Sequence, residues 1–198
     1  MHVALGLKAH SGWAALVAIG QHDGTLSLVD RRRLELVDRD EASWAKQPYH
    51  AAEGLPARDA RQIVERGLTA ARRHATREVR DAVTRLEREG HTIDGCAVLM
   101  GQPMPEWSVD DILAVHFRMH KAEGVLFRDA LARAAKACGQ RLVEIPEKTL
   151  QDHARRALGA LPVALAKHIA TLGKTAGPPW GKDQKDAALA AMIALGRL

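Results

Sequence analysis

The apolar positions of this chain fall into runs, alternations and three-to-four steps that mark out five strands and several helices. Val3 to Leu7 is a short apolar run, His10-Ser11-Gly12 carries turn chemistry, and Trp13 to Ile19 is a second run closed by Gly20, the pattern of a β-hairpin. Beyond the turn Gln21-His22-Asp23-Gly24, Leu26, Leu28, Leu34 and Leu36 share one parity while Ser27, Arg31, Arg33 and Glu35 share the other. That alternation predicts a third, half-buried strand. Residues 38–56 hold Pro48, Gly54 and Pro56 without a period and read as a connection with room for one helical turn.

From Ala57 to Glu89, Leu68, Ala71, Ala75, Val79, Ala82 and Leu86 step by three and four, which predicts a long amphipathic helix ended by Gly90. Ile93 to Met100 is continuously apolar between glycines and suits a strand covered on both faces. A second long helix is expected from Ser108, an N-cap ahead of Asp110 and Asp111, to Cys138, with Gly139 as its stop. Arg141 to Ile145 then reads as a fifth strand ended by Pro146. Helices over Leu150–Leu158 and Pro162–Leu172, a loop from Gly173 to Lys182 and a last helix over Asp183–Leu195 complete the pattern. Three antiparallel strands followed by alternating helices and strands imply an α/β fold whose later strands join through crossovers. The expectation is one domain over 1–198, a mixed five-stranded sheet with helices on both faces.

Composition narrows the classes. At 198 residues and 46% hydrophobic content the chain can fill one core, and a mean hydropathy of −0.21 without a long apolar run argues against a membrane span. The start MHVALGLKAHSGW has neither a charged leader nor a cleavage site, which predicts a cytoplasmic protein. Cys96 and Cys138 lack the paired spacing of a zinc site and read as reduced core thiols. The formal charge of +5 permits an anionic partner.

The order of elements, with the detail at both ends, resembles the RuvC-type Holliday-junction resolvases of the ribonuclease H-like superfamily. Ala4-Leu5-Gly6-Leu7 with Ser11-Gly12-Trp13 looks like that family's first hairpin, and Ala122-Glu123-Gly124-Val125 sits where the family has a similar helix segment. Asp183-Gln184-Lys185-Asp186, continuing into Ala187-Ala188-Leu189-Ala190, looks like its closing motif of two aspartates three apart on a helix. The resemblance implies a ribonuclease H-like fold, a homodimer, branched DNA as partner, and a two-metal site using Mg²⁺ or Mn²⁺. The chain departs from that pattern where it matters for chemistry. Lys8 stands where the family has an aspartate at the end of the first strand, and no acid occurs near Met100 to Gln102, where its glutamate belongs. Of four expected metal-binding carboxylates only Asp183 and Asp186 match. Two ions about 4 Å apart need hard oxygen ligands converging from several elements. A lysine in their midst instead predicts an ion pair of Lys8 with Asp183 and Asp186 that substitutes for metal. The alternative is a Lys8 that reaches solvent and aspartates that only cap their helix.

Other constellations each carry two readings. His116, His120 and Glu123 lie at i, i+4 and i+7, within about 60° of one another on a helix. Ile112, Phe127, Ala130 and Ala134 fall on the same arc, so the three are either an alternative metal or acid–base site or satisfied boundary residues. Arg73, Arg77 and Arg80, with Arg66 and Arg88, lie opposite the apolar face of the long helix; they could track a phosphate backbone or form an ordinary solvated face. Arg31 and Arg33 could bind an anion or protect a sheet edge. Trp180 could stack on a base or pack the last helix. The segment Gln47-Pro48-Tyr49-His50 with Glu53 is unusually rich for a connection and is either a binding loop or a core cover. No phosphate-binding glycine loop or nucleophile elbow is present.

Three functions follow from this reading. The first is a non-catalytic RuvC-like domain that binds nucleic acid or a protein and needs no cofactor. The second is an active endonuclease on branched DNA whose missing Mg²⁺ or Mn²⁺ ligands come from Glu144, His116, His120 or Glu123. The third is a nucleotide-binding module.

Overall fold

The computed structural model describes residues 1–196. Strands β1 (His2–His10), β2 (Trp13–His22) and β3 (Thr25–Glu35) form an antiparallel meander. The helical turns α1 (Ala42–Ala45) and α2 (Pro48–Ala51) and the long α3 (Ala57–Arg88) lead to β4 (Thr92–Met100), which joins β1 in parallel. Helices α4 (Val109–Leu113) and α5 (His116–Ala137) carry the chain to β5 (Leu142–Pro146), parallel to β4, and α6 (Leu150–Leu158), α7 (Pro162–Ala176) and α8 (Lys182–Leu195) follow. The sheet order is β3-β2-β1-β4-β5, the mixed five-stranded arrangement the sequence predicts.

The two faces of the sheet carry separate cores. Val3, Leu5 and Leu7 pack with Ala71, Ala75 and Val79 of α3 and Leu126, Phe127 and Ala130 of α5. On the other face Ala4, Val17 and Ile19 meet Leu165 and Leu172 of α7 and the alanines of α8. Burying each of the large side chains Leu5, Leu7, Leu16 and Ile19 contributes about 1.5–3 kcal/mol, and together they hold β1 and β2 at the centre. Two glycines set how closely helices approach. A Cβ on Gly6 would lie 1.9 Å from the carbonyl oxygen of Ala187, so only glycine lets α8 lie on β1 there. A Cβ on Gly67 would lie 2.5 Å from Pro48 Cβ, so α2 rests directly on α3.

The structure departs from the sequence pattern at two places. Register shifts between Ala18 and Ile19 of β2, where Asp30 and Leu28 are their partners and Val29 is left over. Because a one-residue slip turns every side chain over, Leu26 and Leu28 join the α8 core while Leu34 and Leu36 join the α3 core, although their parity is the same. The helix expected over Ser108–Cys138 is two helices. Ser108 caps α4 in a reciprocal capping box with Asp111, then Val115 is extended at φ −141°, ψ 112°, and α5 starts afresh at His116. Arg118 closes the break by donating to the Asp111 carbonyl at 2.8 Å. The arc expected to join Ile112 to His116 and His120 therefore does not exist.

Among the described residues no helix is long and apolar enough to cross a membrane. Both cysteines are free, and burial pushes the Cys96 thiol up to about 12, which leaves it protonated at neutral pH.

Candidate functional site

The parallel strands β1, β4 and β5 end at one edge of the sheet, and the chemistry gathers there. Lys8, two residues before the end of β1, points to the α8 face and is 5% exposed. Gly6, two residues earlier on that face, lets α8 descend, and the first turns of α8 place Asp183 and Asp186 over the lysine. The Lys8 ammonium donates to Asp186 Oδ2 at 2.6 Å and lies 3.3 Å from Asp183 Oδ1. A third carboxylate, Glu147 in the 3₁₀ turn just beyond β5, approaches it at 3.1 Å. The ion pair expected from the sequence is thus present and larger than expected.

Further groups complete the cluster. Arg128 of α5 donates to Glu147 Oε2 at 2.9 Å, and Lys182 donates to Asp186 Oδ2 at 2.5 Å. His10 Nε2 comes within 3.1 Å of Asp183 Oδ2, out of line for a hydrogen bond, while its ring stacks on Trp13 with centroids 4.2 Å apart. Three cations (Lys8, Arg128, Lys182) thus face three carboxylates (Asp183, Asp186, Glu147). Burial alone would lower the Lys8 pKa, but Asp186 and Glu147 against its ammonium outweigh burial and hold it above the ordinary lysine value. Burial would raise Asp186 and Glu147; Lys182 and Lys8 on the former, and Lys8 and Arg128 on the latter, hold both below the usual carboxylate range. All three groups are charged at neutral pH. A groove of about 470 Å³ between Met100-Gly101-Gln102 and Pro146-Glu147-Lys148 opens onto this cluster, its rim carrying Arg128, Lys148 and Lys182.

The structure scatters the other candidates. Arg31 donates to the carbonyls of Gly177 (2.8 Å), Pro179 (2.5 Å) and Pro178 (3.3 Å), tying the loop ahead of α8 to β3. Arg33 bonds Glu35 at 2.7 Å and lies over the Trp13 ring. Trp180 packs against Gly173 and donates to the Ile169 carbonyl at 3.1 Å, so its ring is engaged within the protein. Arg73, Arg77 and Arg80 are exposed along α3 and, joined by Arg72, line a shallow groove of about 510 Å³. Arg73 lies 3.8 Å from Asp38, Arg77 bonds Glu78, and Arg66 bonds Glu41. Glu144 is exposed, 3.8 Å from Lys136, and stands outside the Lys8 cluster.

His116 and His120 do lie together, with their Nε2 atoms 3.1 Å apart. Their third companion is His50 of α2, and Glu123 stands behind His50, accepting from its Nδ1 at 2.7 Å and its backbone N–H at 3.1 Å. Sequence reasoning missed Glu147, Arg128, His10 and Arg72. Glu147 had a signal, since an acid directly after a parallel strand that adjoins the site edge belongs at that edge. Arg128 and His10 had none, because their roles depend on how α5 and the β1–β2 turn approach the cluster.

No family model and no curated protein sequence matches this chain. Its structure is similar to that of Thermus thermophilus RuvC in complex with a Holliday junction substrate, with a TM-score of 0.53 and 11% identity over 98% of this chain and 92% of that one. A second T. thermophilus RuvC structure gives a TM-score of 0.51 and 12% identity over 96% and 91% of the two chains. The chain has a RuvC-like, ribonuclease H-like fold, and at this identity the likeness concerns the fold alone.

Proposed function

We propose that this RuvC-like chain is a non-catalytic, DNA-binding module in which an internal lysine occupies the place of catalytic metal. The observation that carries the reading is the Lys8 ammonium seated 2.6 Å from Asp186, 3.1 Å from Glu147 and 3.3 Å from Asp183. A pair of Mg²⁺ or Mn²⁺ ions does not fit this donor set. Its carboxylates are already matched one for one by Lys8, Arg128 and Lys182, and a buried ammonium in their midst repels a divalent ion. No reaction step is therefore derived through a metal. Asp183 and Asp186 serve structure, neutralising Lys8 and fastening α8 to β1.

Nucleic acid as the partner is supported by the net charge of +5, the basic rim of Arg128, Lys148 and Lys182, and the exposed Arg72, Arg73, Arg77 and Arg80 on α3. The comparison structure of RuvC holds a Holliday junction, which makes a four-way junction the first ligand to try. The same reading carries a homodimer, which light scattering would test, and a cytoplasmic location.

The test is fluorescence anisotropy with a labelled four-way junction, beside a cleavage assay in Mg²⁺ and in Mn²⁺. The expected result is binding that weakens by two orders of magnitude or more between about 50 and 200 mM salt, with no cleavage. Cleavage that disappears in Asp183→Ala would establish an endonuclease and overturn the reading. Absence of salt-dependent DNA binding, with thermal stabilisation by ATP instead, would replace it with nucleotide binding.

A further inference from the structure

We propose a second, independent site: a surface metal centre for a borderline-soft divalent cation, Zn²⁺ in the first instance, held by His50, His116 and His120. One ligand atom from each imidazole falls within 4.8 Å of the other two, and the ring centroids are 5.1, 4.6 and 4.7 Å apart. The cluster is built by tertiary packing. His50 comes from α2, seated on α3 at Gly67, and His116 and His120 come from the first turns of α5, which the break at Val115 sets going anew.

The groups behind the rings decide which nitrogens are available. Glu123, its side chain only 8% exposed, accepts a hydrogen bond from His50 Nδ1, so the lone pair of that imidazole sits on Nε2. Glu53 lies 3.5 Å from His116 Nδ1 on the far side of a second ring. A carboxylate behind a histidine fixes its tautomer and raises its basicity as a ligand. In a tetrahedral zinc site with Zn–N of about 2.0–2.1 Å, ligand nitrogens lie about 3.3 Å apart. The 3.1 Å between the Nε2 atoms of His116 and His120 is close to that spacing.

Three imidazoles suit Zn²⁺, Co²⁺ or Ni²⁺ and not Mg²⁺, which prefers oxygen. His116 and His120 are exposed, so the fourth position opens to solvent and takes water or an anionic oxygen. Bound metal would staple α2 to α5. The centre owes nothing to Asp183, Asp186 or Lys8, so it stands or falls apart from the reading of the sheet-edge cluster.

The test is isothermal titration of the full chain, free of any affinity tag, with ZnCl₂ and with MgCl₂, together with the visible spectrum of the Co²⁺-loaded protein. One Zn²⁺ per chain is expected, no Mg²⁺ heat, and tetrahedral-type Co²⁺ absorption. Affinity falls at least 100-fold in His50→Ala and in His120→Ala, and about 10- to 100-fold in Glu123→Gln. His120 is exposed, so its variant folds and keeps the test decisive even if His50→Ala does not. Absence of stoichiometric Zn²⁺ binding, or binding that survives either histidine variant, would overturn the proposal.

Discussion

Two polar clusters, one at the edge of the sheet and one between α2 and α5, solve the same electrostatic problem in opposite ways. At the sheet edge the carboxylates point inward and the chain supplies its own cation, Lys8, with Lys182 and Arg128 in support. Between α2 and α5 the carboxylates of Glu123 and Glu53 stand behind imidazoles, and one nitrogen of each of the three rings lies within 4.8 Å of the other two. The first cluster is complete without a ligand; the second has the form of one awaiting a cation. Each is placed by a glycine, Gly6 of β1 under α8 and Gly67 of α3 under α2, where another side chain would hold the overlying helix away. The contrast shows that counting acids does not locate a metal site. What matters is whether charge of the opposite sign is already present.

Lys8→Met breaks the contrast most severely. It leaves three partly buried carboxylates facing one another with only peripheral cations, and should cost about 3–5 kcal/mol in urea unfolding at pH 7. The same charges set a pH window. Asp186 and Glu147 are depressed on folding, so their contribution is present above the ordinary values of 3.8 and 4.5 and is lost as pH falls below them. Lys8 is raised, so its contribution is complete below its ordinary value of 10.5 and is lost as pH climbs beyond that. The contribution of this cluster to thermal stability, read as the difference between wild type and Lys8→Met, should therefore be nearly flat from about pH 5 to 10 and decline on both sides; a steady slope of that difference across the plateau would contradict the ion-pair cluster.

Gly6→Ala should cost about 3 kcal/mol by forcing α8 off β1, while leaving Zn²⁺ binding between α2 and α5 intact in the folded fraction. Lys8→Asp converts one cluster toward the logic of the other. Saturating Mn²⁺ should raise its melting temperature by about 5 °C and leave the wild type within about 1 °C, as differential scanning calorimetry would read. A wild-type rise equal to that of the variant would mean that the lysine does not exclude metal. Smallest of all, His120→Ala without metal should change stability by less than about 0.5 kcal/mol, since the side chain is exposed.

The five strands and most helices were legible because burial imposes periods of two and of 3.6 on the chain. Lys8, Asp183 and Asp186 were legible as a set because a short motif and one departure from a family pattern pointed to them. Glu147 escaped because the missing acid was sought after β4, and the structure brings in one from the end of β5. His116 and His120 were visible as an i, i+4 pair, but Glu123 could not be separated from them by spacing, nor His50 added. On the helix Glu123 shares their arc; in space it turns to a histidine 73 residues earlier. The bulge beside Val29 was equally hidden, since a single unpaired residue reverses the facing of Leu26 and Leu28 without altering the alternation.

By itself, then, the sequence determined the order and kind of the elements and a two-faced sheet, because those follow from local periodicity, while the company of Lys8 and the aspartates was implied only by the resemblance to a family motif. Only the tertiary structure decided which charges meet. Lys8 and Asp186 are 178 residues apart and touch because Gly6 lets α8 lie on β1, and the three histidines meet where α2, seated on α3 at Gly67, comes against the start of α5. Electrostatic energy depends on distances of a few ångströms, and those are properties of packing that no spacing along the chain encodes.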